Sequence, residues 1–265
     1  MRPAAIALLA VVLAVAGAVV WSQRADAPPG GEPPSASPGA GAAPAGTIEV
    51  VGAIPHEGAA WTEGLLVSEG LLWESTGNPT GSGVRAVDPA TGEVRWSVPN
   101  GNAFFAEGIV RAFGRTYVLS WQEQTVFTFD RDADPPFQPF ASYDGEGWGL
   151  TAVGDDLVNS NGSADLYFRD PETFEVRRTL TVRFEGRPLE RLNELEYDGA
   201  FIWANQWQTR YVYRIDPADP SNVVRYELPD RCPGGFFNGI AWHADEGLFY
   251  VTGQRCPEIL KVRFR

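Results

Sequence analysis

Glu107 stands in the stretch "FFAEGIVRAFGRTYVLSW", between Phe105 and Gly108, and Trp121 follows fourteen residues later. A carboxyl shielded from water by aromatic rings binds its proton more tightly than the reference glutamate, whose pKa is about 4.3. Such a group gives and takes protons near neutral pH. Aromatic faces also attract an ammonium group. Acid and rings together suit a substrate with an amine to be held and deprotonated. The plainer reading of the same residues is an exposed rim acid beside tryptophans that pack between sheets.

Conventional catalytic sets are missing from the sequence. His56 and His243 are far apart, and no His/Cys cluster has the spacing of a zinc site, so neither a metal nor another cofactor is expected. There is no Gly-x-Ser-x-Gly elbow of the serine hydrolase type. The glycines of "TGNPTGSG" and "GEGWG" have no helical pattern beside them and read as turns, not phosphate loops. A formal net charge of -13 over 265 residues argues against nucleic acid or an anionic membrane surface as partner.

The elements that position Glu107 recur along the chain. Segments starting at Gly64, Gly108, Gly149, Glu194 and Gly239 lie 41 to 45 residues apart. Each has a β-like run, a tight Gly or Asp turn, and a second β-like run. A third run follows in each: "VRAVD", "VFTFD", "LYFRD", "VYRID", "LKVRF". Four units add a fourth run, but the last ends at Phe264 without one, whereas "TIEVVGAI" at Thr47 has no unit of its own. The pattern predicts an all-β, five-bladed β-propeller in which the N-terminal strand closes the last blade. A β-sandwich is the competing fold and leaves the repeat unexplained. In a propeller the innermost strands line a channel. Trp61, Glu63, Phe105, Glu107, Glu146, Trp148, Asn193 and Asn238 then gather at one mouth, and the second strands bring Glu74, Trp121, Asn161, Trp207 and Gln254 to it.

Residues 1–26 read as a signal peptide or N-terminal membrane anchor, because an uncharged run from Ala4 to Trp21 follows Arg2. Residues 27–46 are a Pro/Gly/Ala-rich linker, and 47–265 form the folded domain. Export to the periplasm or the cell exterior follows, with membrane contact only through the anchor. Cys232 and Cys256 flank two β-like runs that, as a hairpin, return them to one end, so a disulfide is expected in an oxidising compartment.

The motifs "IPHEGAAWTEGL", "LWESTG", "FFAEGI", "GEGWGLT", "LNELE", "ANQW" and "NGIAW" occur in an order that resembles the plant- and bacterial-type glutaminyl-peptide cyclotransferases, over about Ile48 to Phe264. The resemblance implies a five-bladed propeller without a metal, acting on peptides or proteins with N-terminal Gln; the chain is expected to be a monomer. It implies conversion of that residue to pyroglutamate with release of ammonia. Matched motif by motif, Glu107 is the acid/base, Phe105, Trp121, Trp148 and Trp207 are aromatic walls, and Asn193 bonds the substrate. Trp61, Glu63 and Gln254 complete the pocket at positions that depart from the pattern. The family has Phe-Thr-Gln-Gly where this chain has Trp61-Thr62-Glu63-Gly64, and Thr-Gly-Lys where it has Thr252-Gly253-Gln254; Cys256 replaces a Trp. The first two changes make the pocket more negative. The alternative is a non-catalytic propeller that binds amine-bearing peptide ends. A propeller hydrolase or lactonase using a divalent ion has no evident ligand set.

Overall fold

A computed structural model describes residues 45–78 and 81–265. The anchor segment and residues 27–44 of the linker lie outside these residues. Five four-stranded antiparallel sheets make the blades. Their innermost strands are Thr62–Ser68, Ala106–Ala112, Leu150–Val153, Leu192–Tyr197 and Phe236–His243, which start blades 1 to 5. The fifth blade takes its outer strand from Ile48–Pro55, which pairs with Glu258–Phe264 from Ile48↔Phe264 to Pro55↔Glu258. The ring is therefore closed by the two ends of the domain, as the unpaired first strand predicts. A two-stranded hairpin, Arg183–Phe184 with Arg187–Pro188, was not foreshadowed by the repeat. Among the described residues there is no helix.

Turn chemistry fixes the blades locally. In blades 1 and 2 the inner hairpin closes over two residues with positive φ, Glu69-Gly70 and Phe113-Gly114, the twist that suits antiparallel strands. After the third strand of blades 1 to 4, Asp88, Asp130, Asp170 and Asp216 each accept a backbone N–H from two residues on. Between blades, apolar faces interdigitate. Trp73 of blade 1 meets Phe129 of blade 2 edge to face at 6.2 Å, and Trp203 of blade 4 lies against Phe249 of blade 5 at 4.8 Å. Each fully buried ring of this kind contributes about 1.5–3 kcal/mol.

Around the axis the strands nearly touch. A Cβ on Gly64 would lie 2.8 Å from the Ile109 nitrogen, one on Gly108 would lie 2.6 Å from the Trp148 carbonyl oxygen, and one on Gly149 would lie 2.7 Å from Glu194 Cα. Blade 4 has Glu194 where its neighbours have glycine. Its carboxyl reaches to blade 1, which is not adjacent, and Oε1 accepts the Leu65 N–H at 2.8 Å. The side chain is fully buried and Oε2 has no partner among the described residues. Burial pushes its pKa well above the carboxylate range, and the Leu65 bond only partly opposes this.

Because Glu194 holds its proton more tightly folded than unfolded, its contribution to stability is complete below about pH 4.3. That contribution is lost as pH rises towards and through the raised folded value. Glu194→Gln keeps an acceptor for Leu65 N–H and cannot ionise. The Tm of the variant relative to the parent is expected to climb steadily from about pH 5 to about pH 9, read by thermal melts. A pH-independent difference would show that Glu194 does not carry a buried proton.

Candidate active site

Four of the five innermost strands carry a β-bulge at their first residues. Register shifts occur between Thr62 and Gly64, Ala106 and Ile109, Leu192 and Leu195, and Phe237 and Gly239. The residues thrown out of register are Glu63, Glu107-Gly108, Asn193-Glu194 and Asn238. A bulge re-aims side chains at the end of a sheet, and here it delivers three of the expected site residues to one mouth. Backbone and hydroxyl bonds lock neighbouring blades at this level. Ser75 Oγ donates to the Glu107 carbonyl at 2.5 Å, Gly108 N–H to the Trp148 carbonyl at 2.7 Å, and Ser160 Oγ to the Asn193 carbonyl at 2.7 Å.

The floor is polar and buried, and the walls are aromatic and half-exposed. Glu63, Glu107, Asn193, Asn238 and Gln254 are all under 9% exposed. Above them Phe105 and Trp121 meet at 5.6 Å and Trp148 and Trp207 at 5.4 Å. Trp61 lies half-buried at the same level and bridges by its backbone to Gln254. Two glycines seat the rings: Gly77 lies against Phe105, and a Cβ on Gly162 would come 2.6 Å from Trp148 Cη2. Glu63, Glu107, Asn193 and Gln254 thus lie at one mouth with Trp61, Phe105, Trp121, Trp148 and Trp207, whereas Glu74 and Asn161 do not join them.

Hydrogen bonding on the floor is uneven. Gln254 Nε2 donates to both Glu63 oxygens, at 2.8 and 3.0 Å, and Asn238 Nδ2 donates to Oε2 at 2.5 Å. Two of the positions that depart from the family pattern, Glu63 and Gln254, are therefore partners of each other. No donor among the described residues bonds the Glu107 carboxyl, and the Asn193 amide has no partner, with Oδ1 buried. Burial pushes Glu107 well above the carboxylate range, and the nearby acids Glu63, Glu146, Glu123 and Glu194 push the same way. Burial likewise pushes Glu63 up, against the bonds from Gln254, Asn238 and Trp61.

Some details were missed in the sequence. Glu146 ties two walls together, since Oε2 accepts Trp121 Nε1–H at 2.9 Å and Trp148 Nε1–H at 3.0 Å, while Oε1 accepts from Gln122 at 3.1 Å. Burial opposes its charge, but these bonds prevail and hold its pKa below the usual value. Glu123 accepts the Phe105 N–H at 3.1 Å. A Trp N–H facing an acid two or twenty-five residues away leaves no periodic trace. Glu74, expected at the mouth, instead lies fully buried in an ionic cluster. Arg85 Nε donates to it at 2.7 Å and His56 Nε2 lies 3.2 Å away. Burial alone would raise its pKa, but His56 and Arg85 hold it down at about 2. Asn161 bonds Ser163 and the Tyr167 hydroxyl within its own blade.

The cysteines are bonded, Cys232 to Cys256, with Cα atoms 4.5 Å apart. His56 Nδ1 lies 2.8 Å from the Cys256 carbonyl oxygen. The contact spans 200 positions in sequence and joins the closing strand to blade 5. Among the described residues no three His, Cys, Asp or Glu side chains gather as a metal site.

Fold and site together describe a five-bladed β-propeller with a buried carboxyl at the floor of an aromatic pocket. Residues 30–264 match the glutamine cyclotransferase family, and the chain belongs to it. It is 36% identical over 229 residues to the glutaminyl-peptide cyclotransferase of Arabidopsis thaliana, covering 82% of this chain and 71% of that one. It superposes on the crystal structure of Myxococcus xanthus glutaminyl cyclase with a TM-score of 0.73 at 31% identity, covering 83% of this chain and 98% of that one.

Glu146→Ala removes the acceptor shared by two indoles. Charge-assisted bonds are worth about 1.5–3 kcal/mol when buried, and the partial exposure of Glu146 places the loss at the low end. The variant should melt a few degrees lower and its tryptophan emission should shift to the red. Unchanged emission would mean that Glu146 does not order the walls.

Proposed function

We propose that this chain converts the N-terminal glutamine of peptides and proteins to pyroglutamate with release of ammonia, without a metal, and that Glu107 moves the proton. The observation that carries this reading is a buried carboxyl left without a hydrogen-bond donor beside four aromatic walls and an Asn193 amide also left unpartnered. Buried polar groups are nearly always paired, so the unpartnered, buried Asn193 Oδ1 beside a carboxyl that meets no donor points to a partner supplied by substrate.

The nucleophile is the substrate's own α-amine. The walls fold the glutaminyl end so that its neutral amine faces its side-chain carbonyl carbon, which converts the encounter into an oriented, intramolecular one. As the new N–C bond forms, the amine nitrogen passes a proton to the Glu107 carboxylate and the carbonyl oxygen takes up the negative charge. Asn193 Nδ2 is the donor for that oxygen. Glu107 then returns the proton to the side-chain nitrogen, the old C–N bond breaks, and ammonia leaves with the carboxylate restored. A carboxyl held above its usual range suits both transfers near neutral pH. The kinship to glutaminyl-peptide cyclotransferases supports the same substrate. We also propose that the domain works after export. The apolar N-terminal run and the Cys232–Cys256 bond support this reading.

Glu107→Gln keeps the shape and removes the base. Ammonia release from a Gln-initiated peptide should fall at least about a hundredfold in kcat, with KM changed far less. Activity of the parent should survive a chelator. Turnover undiminished in Glu107→Gln would overturn the assignment of the base, and activity lost to the chelator would overturn the metal-free reading.

A further inference from the structure

Glu63 and Glu107 occupy equivalent bulges on the first strands of neighbouring blades. The glycines that follow them are in contact, since a Cβ on Gly64 would lie 3.1 Å from Gly108 Cα. The two buried acids therefore leave adjacent backbones at one level, beside the same opening. Neither meets a cation among the described residues. Glu63 is held by the amides of Gln254 and Asn238, which donate to it and favour its charged form without supplying a charge. Arg85, the nearby buried cation, is taken by Glu74 at 2.7 Å and Glu57 at 2.5 Å.

Two desolvated carboxyls in one site do not both ionise readily; they lose their protons in two separate steps that belong to the pair. We propose that Glu63 and Glu107 hold one proton between them and act as a singly charged pair, whose single negative charge is the base that accepts a proton from substrate at Glu107. This rests on the cyclotransferase reading for its chemistry and makes Glu63 a positioning residue that acts through Glu107. The groups facing Glu107 are Glu63 from blade 1, Glu123 and Tyr143 from blade 2, Glu146 from the loop before blade 3 and Glu194 from blade 4. Those facing Glu63 are Trp61, Asn238 and Gln254. Every charged member is an acid, so each favours retention of the proton. Burial, the largest influence on both carboxyls, acts in the same direction.

The pair has a working window. Below it, Glu107 is protonated and cannot take the proton of the amine. Above it, both acids are charged, the substrate amine is held as ammonium without a free lone pair, and Glu107 returns its proton reluctantly. The alkaline limb of kcat/KM then belongs to the enzyme.

The test measures ammonia release from a glutaminyl tripeptide amide between about pH 5 and about pH 10 for the parent, Glu63→Gln and Gln254→Lys. Glu63→Gln removes the second ionisation, and Gln254→Lys places an ammonium on Glu63 and fixes it as a carboxylate. Both should shift the alkaline limb upward by at least about one pH unit while an acid limb remains. An alkaline limb at the same pH in all three proteins overturns the proposal. If the parent releases no ammonia, that failure belongs to the cyclotransferase reading. The pair is then judged without substrate by NMR titration of ¹³C-labelled glutamate carboxyls. Linked two-step curves that become single-step in Glu63→Gln or Glu107→Gln support it, and independent single-step curves in the parent overturn it.

Discussion

The close approach of the five inner strands at the propeller axis governs everything else. Gly64, Gly108 and Gly149 have no room for a side chain, because the next blade's backbone occupies the space. That contact leaves the bulged residues just before the glycines no course but to turn to the mouth, and it delivers Glu63 and Glu107 there as neighbours. The fourth blade breaks the rule with Glu194, whose carboxyl fills space at the axis and caps the Leu65 N–H. One buried, partly unsatisfied carboxyl opposes stability, but it is outweighed by many interblade rings worth about 1.5–3 kcal/mol each.

Two buried glutamates show how the fold assigns roles by environment. Glu74 and Glu107 are both shielded from water. Glu74 faces His56 and Arg85 and is held down at about 2, so it remains a charged structural anchor between the closing strand and blade 1. Glu107 faces only acids and aromatic walls, and its proton affinity rises. The same residue type is thus fixed as an ion in one place and left ready for proton transfer in the other. Glu146 adds a third role, since its charge is stabilised by the two indoles it orders.

Much of this was legible in the sequence, for physical reasons that also set the limit. Strand alternation and Asp turns repeat at a fixed spacing, so the blades and the missing fourth strand after Phe264 could be read directly. The unpaired strand at Thr47 then implied the ring closure seen from Ile48↔Phe264 onward. Glu107 and its rings stood out because an acid in apolar company is unusual. What escaped were features set by single-residue shifts and distant contacts. The bulges displace side chains without altering composition, and Glu74 lies three positions before Gly77, which holds the place in blade 1 that Trp121 and Trp207 hold in theirs. The His56–Cys256 contact joins residues 200 apart. The Glu63–Gln254 bond pairs two departures from the family pattern that look, in sequence, like unrelated losses.

A crystal structure of the Glu107→Gln variant with a Gln-initiated peptide tests the geometry of the site most directly. The terminal amine should lie within hydrogen-bonding distance of residue 107, with the side-chain amide oxygen on Asn193 Nδ2 and the glutaminyl chain between Trp121, Trp148 and Trp207. A peptide bound with its amine turned to solvent, or seated away from the aromatic walls, would contradict the assignment of Glu107 as the group that moves the proton.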